Sequence, residues 1–211
     1  MSKETFENLF EMFLKFPGVG PRQAKRFAYF LAASEKKFAE KLAAAILEVK
    51  KNIRQCGSCF RWFQTASSLE TENKICGICR DNLRDKNLVM VVEKDMDLEN
   101  IEKTGVYKGR YFVLGGILPL NGSLDENGKK RLERIKALFE KIKKEKPREV
   151  IIATGATVEG ENTAKYIQKI LDPLKESQEI KITRLGKGIS TGTELEYIDN
   201  ETMANALKNR A

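Results

Sequence analysis

The four cysteines of this chain lie in two pairs, and their spacing constrains the fold more than any other feature. Two residues separate Cys56 from Cys59, sixteen residues follow, and Cys76 and Cys79 repeat the first spacing. Each pair can form a tight knuckle that directs two thiolates at one point, and two knuckles complete a tetrahedral four-sulfur site, the geometry of structural zinc. Because four protein ligands leave no open coordination position, the spacing predicts one structural zinc ion per chain rather than a catalytic one.

The sequence leaves three other interpretations of the cysteine pairs open. They are four unrelated buried thiols, a redox-active dithiol and an iron–sulfur cluster. Gly57 and Gly77 follow the first cysteine of each pair and are predicted to let the knuckles turn. Three aromatic side chains near the first pair are predicted to pack over the metal site, with stacking on bases as the alternative: Phe60, Trp62 and Phe63.

The composition favours a globular protein with a polyanionic partner. The 211 residues carry a formal net charge of +8, and each phosphate that such a chain neutralises releases counterions. No apolar stretch reaches the roughly 18 residues needed to cross a bilayer. Residues 1–10 include acids and lack a signal-peptide cleavage pattern, which predicts a cytoplasmic protein with reduced cysteines. The chain contains no histidine, the commonest acid–base catalyst at neutral pH.

Residues 16–31, FPGVGPRQAKRFAYFL, predict a turn that leads into a helix. Gly18 and Gly20 permit a tight turn with accessible backbone N–H groups, and Pro21 occupies a favoured first helical position. Such a helix N-terminus is suited to bind a phosphate oxygen. Three cations that follow share one helix face beside the turn: Arg22, Lys25 and Arg26. The pattern is that of a helix-hairpin-helix motif, which grips nucleic acid without reading its sequence; the alternative is an ordinary helical corner with a solvated basic face.

Amphipathic helices flank this turn. Residues 3–16 carry apolar side chains at helical spacing, and on the second helix Phe27, Phe30 and Leu31 are predicted to be buried. A third helix presents an apolar stripe that would serve as core or as a subunit contact: Phe38, Leu42, Ile46, Val49 and Ile53. Residues 1–55 are therefore predicted to form a helical domain.

From residue 88 onward, short apolar runs alternate with helical patterns. Four strands are predicted, at residues 88–93, 110–116, 149–154 and 180–185. Their alternation with helices indicates a parallel sheet covered on both faces. Residues 194–199 are predicted as a last strand or extended segment before a short helix. The fold class is α+β and multidomain, with four parts: the helical domain, a zinc finger at 56–80, an α/β domain at 81–184 and a C-terminal tail at 185–211.

Acidic residues follow two of the predicted strands. Glu93 ends the first strand, with Asp95 and Asp97 nearby, and Glu159 and Glu161 lie beyond the third. Functional sites of parallel α/β sheets collect at the carboxyl ends of strands, so these carboxylates are candidates for holding magnesium. The alternative is that they cap helices and stabilise helix dipoles.

These motifs, in this order, resemble the RecR family of bacterial recombination mediators over nearly the whole chain. FPGVGPRQAKRFAYFL is similar to its helix-hairpin-helix, and the cysteine quartet is similar to its zinc finger. Three segments resemble its Toprim domain: VVE at 91–93, TGVYKGRYFVLGG at 104–116 and ATGATVEGENTAKYI at 153–167. LGKGISTGTELEYIDNETMANAL at 185–207 resembles its C-terminal tail. The family usually has Asn-Pro where this chain has Gly155-Ala156, and Pro-Val where it has Ser190-Thr191.

The resemblance implies a non-enzymatic DNA-repair factor that forms dimers or ring-like tetramers. Such a protein would act with RecO and RecF to load RecA recombinase onto gapped or single-stranded DNA coated by single-strand-binding protein. Its Toprim domain would dock partner proteins, with Glu93, Glu159 and Glu161 as candidate partner-binding residues. Its hairpin would contact DNA phosphates through five residues: Gly18, Gly20, Arg22, Lys25 and Arg26.

Two other functions are open from the sequence. The first is a magnesium-dependent Toprim nuclease or primase-like enzyme, although IIATGATVEG at 151–160 lacks the aspartate pair that catalytic Toprim enzymes carry. The second is a zinc-binding interaction module that never contacts DNA.

Overall fold

A computed structural model of the chain describes residues 2–65, 75–120 and 126–208. These residues divide into two units. The first contains residues 2–53 together with Thr65, and the second contains residues 54–64 and the described residues from 75 onward. The cysteine segment, residues 54–64 and 75–80, and the α/β sheet therefore belong to the same unit, and the amino-terminal helices belong to the other.

The first unit consists of three helices: α1 at Ser2–Leu14, α2 at Pro21–Ala33 and α3 at Lys36–Asn52. Small side chains allow α1 and α2 to pack closely, since Ala24 and Ala28 of α2 are fully buried. The ring of Phe27 lies 5.6 Å from that of Phe13, edge to face. Phe30 was predicted to be buried but is 61% exposed, because the alanines occupy the inner face of α2.

The apolar stripe of α3 lies largely on the surface. Of its five predicted members, Ile53 is half-buried, and the others are between 38% and 56% exposed: Phe38, Leu42, Ile46 and Val49. Phe30 of α2 continues this surface, with its ring 5.7 Å from that of Phe38. The described residues thus leave an aromatic and aliphatic face of the first unit open to solvent.

The second unit is built on a parallel sheet, as the sequence predicts. Its strands are β3 at Asp85–Val92, β4 at Gly109–Val113, β5 at Glu149–Ala153 and β6 at Lys181–Arg184. They are ordered β4-β3-β5-β6, and every pair is parallel. Two short strands, β1 at Ile53–Gln55 and β2 at Trp62–Gln64, pair with each other, and α4 at Gly77–Arg80 follows them.

Helices cover both faces of this sheet. They are α5 at Asp95–Thr104, α6 at Glu126–Glu145 and α7 at Val158–Gln178, with α8 at Asn200–Lys208 near the end of the chain. Alternate residues of β3 enter different cores, because successive side chains of a strand point to opposite faces. Val89 and Val91 pack with residues of α6 and α7, whereas Met90 and Val92 pack with Leu98 of α5.

The longest helices of the second unit are amphipathic rather than uniformly apolar. Helix α6 has 20 residues and α7 has 21, and both carry many charged side chains on their outer faces. Within the part of the chain that the structure describes, no helix is long and apolar enough to cross a membrane.

The predicted strand at 194–199 is wrong, whereas the short helix after it is confirmed. Residues Leu195–Tyr197 form one turn of 3-10 helix, and both end residues are more than half exposed. The side chain of Asp199 accepts a hydrogen bond from the backbone N–H of Thr202 (2.9 Å) at the start of α8. The alternating acidic and apolar residues therefore lead into a helix cap instead of pairing with a strand.

Replacing Gly160 is expected to destabilise the second unit. Gly160 lies in the first turn of α7, where a Cβ atom would meet the carbonyl oxygen of Gly155 at 2.1 Å. Gly160→Ala should lower the free energy of unfolding by about 2–3 kcal/mol, because the backbone loop must move. Urea denaturation measures the loss. Gly188→Ala is the control, since its Cβ meets no heavy atom within 4 Å; equal losses in the two variants would contradict the steric argument.

Candidate metal centre and nucleic-acid interface

The four cysteines converge on one point. Their Sγ atoms all lie within 4.8 Å of one another, and those of Cys59 and Cys76 are 3.6 Å apart. A tetrahedral zinc ion with bonds of about 2.3 Å holds its sulfur ligands roughly 3.8 Å apart. Cys56, Cys59 and Cys76 are fully buried and Cys79 is partly buried. Spacing, burial and the all-sulfur donor set therefore fit a four-coordinate metal ion.

Backbone hydrogen bonds give each knuckle its shape. In the first, the N–H of Phe60 donates to the carbonyl of Cys56 (2.9 Å), and the N–H of Cys56 donates to the carbonyl of Arg61 (2.8 Å). In the second, Cys76 precedes α4 and Cys79 lies on it, so one helical turn brings the two sulfurs together. The N–H of Cys76 also donates to the Sγ of Cys56 (3.3 Å), which ties the two knuckles to each other.

Close contacts among the four sulfur atoms shift the pKa values of their thiols. The contact with Cys59 lowers the pKa of the Cys56 thiol, whereas the same contact raises the pKa of Cys59. The contact with Cys56 raises the pKa of Cys76, but those with Cys59 and Cys79 outweigh it and lower that pKa to about 7. Because a metal ion binds thiolates, metal uptake must displace the remaining protons and weakens as the pH falls.

Of the three aromatic side chains predicted to cover the metal site, one packs against the cysteines. Phe63 packs against them, but Trp62 is 53% exposed, and Phe60 packs into the core of the sheet instead. The glycine interpretation of the knuckles also needs correction, since neither Gly57 nor Gly77 has a positive φ. The residue with a left-handed backbone in the first knuckle is Phe60, at φ 61°. Its ring packs near Phe112 in the core of the sheet.

In the first unit, a glycine turn precedes α2 as the sequence predicts. Gly18 has φ 77°, a conformation that side chains with a Cβ rarely adopt, and Gly20 is the N-cap residue of α2. Pro21 is the first helical residue, and the N–H of Ala24 donates to the carbonyl of Gly20 (2.9 Å). Both glycines are exposed and their Cα atoms face open space. A phosphate oxygen can therefore approach the first N–H groups of the helix.

The three predicted DNA-binding cations all lie on the surface of α2. Arg22, Lys25 and Arg26 are exposed, and α2 contains no acidic residue. Lys25 lies over the ring of Phe10, with its Nζ 5.8 Å from the ring centroid. Arg26 donates a long hydrogen bond of 3.4 Å to Gln23. Positive charge therefore surrounds the glycine turn without neutralisation from its own helix.

Glu93 lies where the strand order of the sheet reverses, since β3 has β4 on one side and β5 on the other. Its Oε1 atom accepts a hydrogen bond of 2.6 Å from the N–H of Gly155, in the loop after β5. Its backbone carbonyl accepts bonds of 2.8 Å from the N–H groups of Gly115 and Gly116, after β4. This switch point is the usual ligand position in α/β sheets. Here Glu93 connects the two loops that border it.

Glu161 forms an ion-pair network with the last residue of β6 and the segment that follows it. Arg184 donates two hydrogen bonds to its carboxylate, at 2.7 and 2.8 Å. Lys187 lies 3.1 Å from Glu161 and 2.6 Å from Glu201 of α8. The Arg184 guanidinium lowers the pKa of Glu161 to about 2. Glu161 thus holds the chain that follows the sheet against the first turn of α7.

The acids at the sheet edge do not assemble into a metal site. Among the described residues, the cysteine quartet is the only group of three or more potential ligands close enough to share an ion. Glu159, which is partly buried, and Glu161 lie in the first turn of α7. Asp97 accepts a hydrogen bond of 2.9 Å from the N–H of Lys94 at the start of α5. For Asp97 the geometry supports the helix-capping alternative.

Sequence reasoning missed a second charged cluster at the opposite end of the sheet. Arg84 binds the carboxylate of Glu102, and Glu102 also accepts a hydrogen bond of 2.7 Å from Tyr111. Burial acts to raise the pKa of Glu102, but the hydrogen bonds from Arg84 and Tyr111 outweigh it and lower that pKa. Only the alternation of strand β4, which places Tyr111 inward, hints at this network in the sequence.

The fold and the site together define a Toprim protein with an amino-terminal helix-hairpin-helix. Its features are a helical unit with a cationic glycine turn, a four-cysteine cluster and a parallel α/β sheet.

Family comparisons agree: the Toprim domain family matches residues 87–186, the RecR helix-hairpin-helix family residues 6–50, and the RecR C-terminal family residues 188–211. The chain is 40% identical to "Recombination protein RecR" of Desulfatibacillum aliphaticivorans over 204 residues, 96% of this chain and 94% of that protein. The proteins of the same name from Desulforudis audaxviator and Chloroflexus aggregans are 40% and 39% identical over 203 residues, 96% of this chain and 94% and 91% of theirs. The chain belongs to the RecR family.

Acidification is expected to remove the contribution of the Glu161–Arg184 pair within a defined window. The pKa of Glu161 falls from an ordinary 4.5 to about 2 in the folded protein. The wild-type chain should therefore be more stable than Glu161→Gln above about pH 4.5, and this advantage should disappear as the pH falls to about 2. Urea midpoints of both metal-depleted proteins across this range give the difference.

The control for this measurement is Asp172→Asn, which neutralises an exposed acid of the same helix. Its midpoint should stay close to that of the wild type at every pH, since an exposed carboxylate contributes little. If both variants show the same pH dependence, net charge rather than the ion pair explains it.

Proposed function

We propose that the chain is a non-enzymatic recombination mediator of DNA repair in the cytoplasm. It binds gapped, single-stranded or double-stranded DNA without sequence preference and acts with RecO and RecF. Together they load RecA recombinase onto DNA coated by single-strand-binding protein. The observation that carries the proposal is 40% identity, over 96% of the chain, to a protein named for recombination.

The DNA-binding part of the proposal rests on the first unit. The N–H groups at the start of α2 and the exposed side chains of Arg22, Lys25 and Arg26 suit the oxygen atoms and negative charge of a phosphate backbone. None of these groups is matched to base edges. Gly18 supplies the left-handed turn that exposes them, and Gly20 caps the helix without a side chain that would cover it. Binding of this kind depends on charge and is indifferent to sequence.

The cofactor that we propose is zinc, one ion per chain, with a structural role. Four sulfur donors at the spacing of a tetrahedral site favour zinc over magnesium or calcium, which prefer oxygen. Cys56, Cys59, Cys76 and Cys79 would hold the ion as thiolates. With four protein ligands, the ion stabilises the fold and takes no part in a reaction.

The absence of catalysis is part of the proposal, and the arrangement of acids supports it. Glu93 accepts a hydrogen bond from Gly155, and Glu161 is paired with Arg184 and Lys187. A magnesium-dependent Toprim enzyme needs carboxylates that converge on the ion. DNA cleavage or synthesis that requires magnesium and is abolished by Glu93→Ala would favour that enzyme instead.

Partner binding and self-association complete the proposal. Glu93, Glu159 and Glu161 mark the edge of the sheet that we assign to docking of partner proteins, with Glu161 holding the edge in shape through its ion pairs. The exposed apolar stripe of α3 is suited to bury surface in a dimer or tetramer.

Removing two of the hairpin cations should weaken DNA binding and its dependence on salt. Each lost phosphate contact reduces the slope of log affinity against log salt by roughly 1. Arg22→Ala with Arg26→Ala is therefore expected to reduce that slope by about 2, and to weaken binding to all sequences alike. Fluorescence anisotropy with a gapped duplex at several salt concentrations measures both quantities.

The matched control is Lys36→Ala with Lys37→Ala, which removes the same charge from exposed positions on α3. This variant should keep most of the affinity if the turn of α2 is the contact. Loss of equal size in both variants would point to net charge alone, and salt-independent or absent binding by the wild type would favour an interaction module that never contacts DNA.

Metal analysis of the reduced protein is expected to find about one zinc ion per chain. A serine in place of any of the four cysteines should release the ion and lower the unfolding temperature, because the segment has no large core of its own. Iron with visible charge-transfer absorption would indicate an iron–sulfur cluster, and the absence of any metal would contradict the zinc assignment.

A further inference from the structure

The cysteine cluster lies beside β4, the edge strand of the four-stranded sheet. The backbone N–H of Val113 on β4 donates a hydrogen bond of 2.8 Å to the carbonyl of Cys59. The first knuckle therefore pairs with a backbone group that an edge strand would otherwise leave open. A further hydrogen bond of 2.9 Å, from Lys141 of α6 to the hydroxyl of Ser58, fixes the same knuckle.

Phe60 anchors the first knuckle on one face of the sheet. Its ring packs into the core shared with α6 and α7 and lies 5.3 Å from that of Phe112, edge to face. The guanidinium of Arg134 covers the ring at 5.4 Å. The left-handed backbone at Phe60 costs free energy in a residue with a Cβ, of the order of 1 kcal/mol or more. This conformation is kept because Gln55 donates to the Phe60 carbonyl (2.8 Å) and the ring is held in the core.

Ile78 anchors the second knuckle on the other face. It lies between Cys76 and Cys79 on α4, and it packs both against the cysteines and against the second core. That core contains Tyr111 and Val113 of β4 and Leu98 of α5. The two knuckles therefore straddle the edge strand, one on each face.

A hydrogen bond links the cluster to the acidic loop after β3 as well. The N–H of Trp62, three residues beyond Cys59, donates to Oδ1 of Asp95 (2.8 Å). Asp95 is the first residue of α5, two residues after Glu93. The loop that carries Glu93 at the sheet edge is thus held on one side by the cysteine segment.

We propose that metal occupancy of the cysteine cluster controls the order of β4 and of residues 93–98, where β3 leads into α5, through Phe60 and Ile78 on opposite faces of the sheet. The metal joins the first knuckle, at 56–59, to the second knuckle, at 76–79, across the edge strand. Without it, weak thiol contacts and the hydrogen bond from the N–H of Cys76 to the Sγ of Cys56 join the two knuckles, and each anchor depends on its own core contacts. Metal loss then releases the strained turn at Phe60 and the bond from Trp62 to Asp95. The ion is a switch for the partner-facing edge of the sheet, in addition to a local staple.

Hydrogen exchange of the full chain, loaded with zinc and depleted of it under reducing conditions, tests this proposal. Depletion should accelerate amide exchange about tenfold or more in β4 and in residues 93–98, as well as in the cysteine segment. Strand β6, at the opposite edge of the sheet, is the internal control and should change much less. Acceleration confined to residues 54–64 and 75–80 would overturn the proposal.

A second test compares how zinc removal lowers the unfolding temperature in different variants. If Phe60 transmits the effect, Phe60→Ala should lower the temperature of the zinc-loaded protein and reduce the further loss on zinc removal by about half or more. Leu171→Ala is the control, since Leu171 is buried in the same core but lies on α7. It should lower both temperatures equally.

Phe60→Leu retains an apolar side chain and serves if the alanine variant fails to fold. An undiminished loss on zinc removal in the Phe60 variants would contradict the coupling. This proposal rests on the metal centre of the proposed function. Different results would contradict the zinc assignment and the coupling to β4. Absence of bound zinc removes the zinc assignment, whereas bound zinc without a response in β4 removes only the coupling. Neither result bears on DNA binding by the first unit.

Discussion

The hydrogen bond from Val113 to the carbonyl of Cys59 joins two structures that each need the other. A parallel sheet of four strands has an edge at β4, where unpaired backbone groups invite wrong pairing. The cysteine segment is too short to bury a core of its own, and it gains apolar neighbours by placing Phe60 and Ile78 in the cores of the sheet. The sheet in turn gains a cover for its edge. The cysteine quartet and the sheet therefore belong to one structural unit.

The acids at the carboxyl ends of the strands are also held by contacts within the chain. In a catalytic site, a divalent cation would draw carboxylates from several loops together. Here hydrogen bonds and ion pairs within the chain perform that connection. Glu93 links the loops after β4 and β5, Asp95 holds Trp62, and Glu161 holds Arg184. Glu93, Asp95 and Glu161 each accept from a donor within the chain, which fixes the edge that the proposed function assigns to partner docking.

Local spacing made much of the fold predictable from the sequence. The cysteine quartet, the helix that begins at Pro21 and the parallel sheet follow from patterns within short windows, and all three appear as expected. The position of the Phe60 ring was not predictable. Its left-handed backbone is not evident from the neighbouring residues, and its ring packs against Phe112, which is distant in the sequence.

Contacts between residues distant in the sequence explain the other differences between prediction and structure. Glu161 was assigned to an acidic cluster, since nothing in the sequence pairs it with Arg184, 23 residues later. Phe30 was assigned to the core because helical spacing does not reveal that Ala24 and Ala28 fill the inner face of α2. Helical periodicity identifies an apolar face of a helix but does not say which part of it a neighbouring element covers.

The proposed grip on DNA has a quantitative consequence for assembly. Three phosphate contacts, from Arg22, Lys25 and Arg26, would lose roughly 40-fold in affinity between 50 and 200 mM salt. Under this proposal a single chain would hold DNA weakly at physiological salt, because the interface includes no contact to base edges. Several chains bound to one another engage the same strand at a high effective concentration and multiply these weak contacts. Under the proposed function, self-association through the exposed apolar stripe of α3 would convert the weak, sequence-independent contact of α2 into useful binding. Tight binding by an isolated single chain at physiological salt would be inconsistent with a three-cation interface.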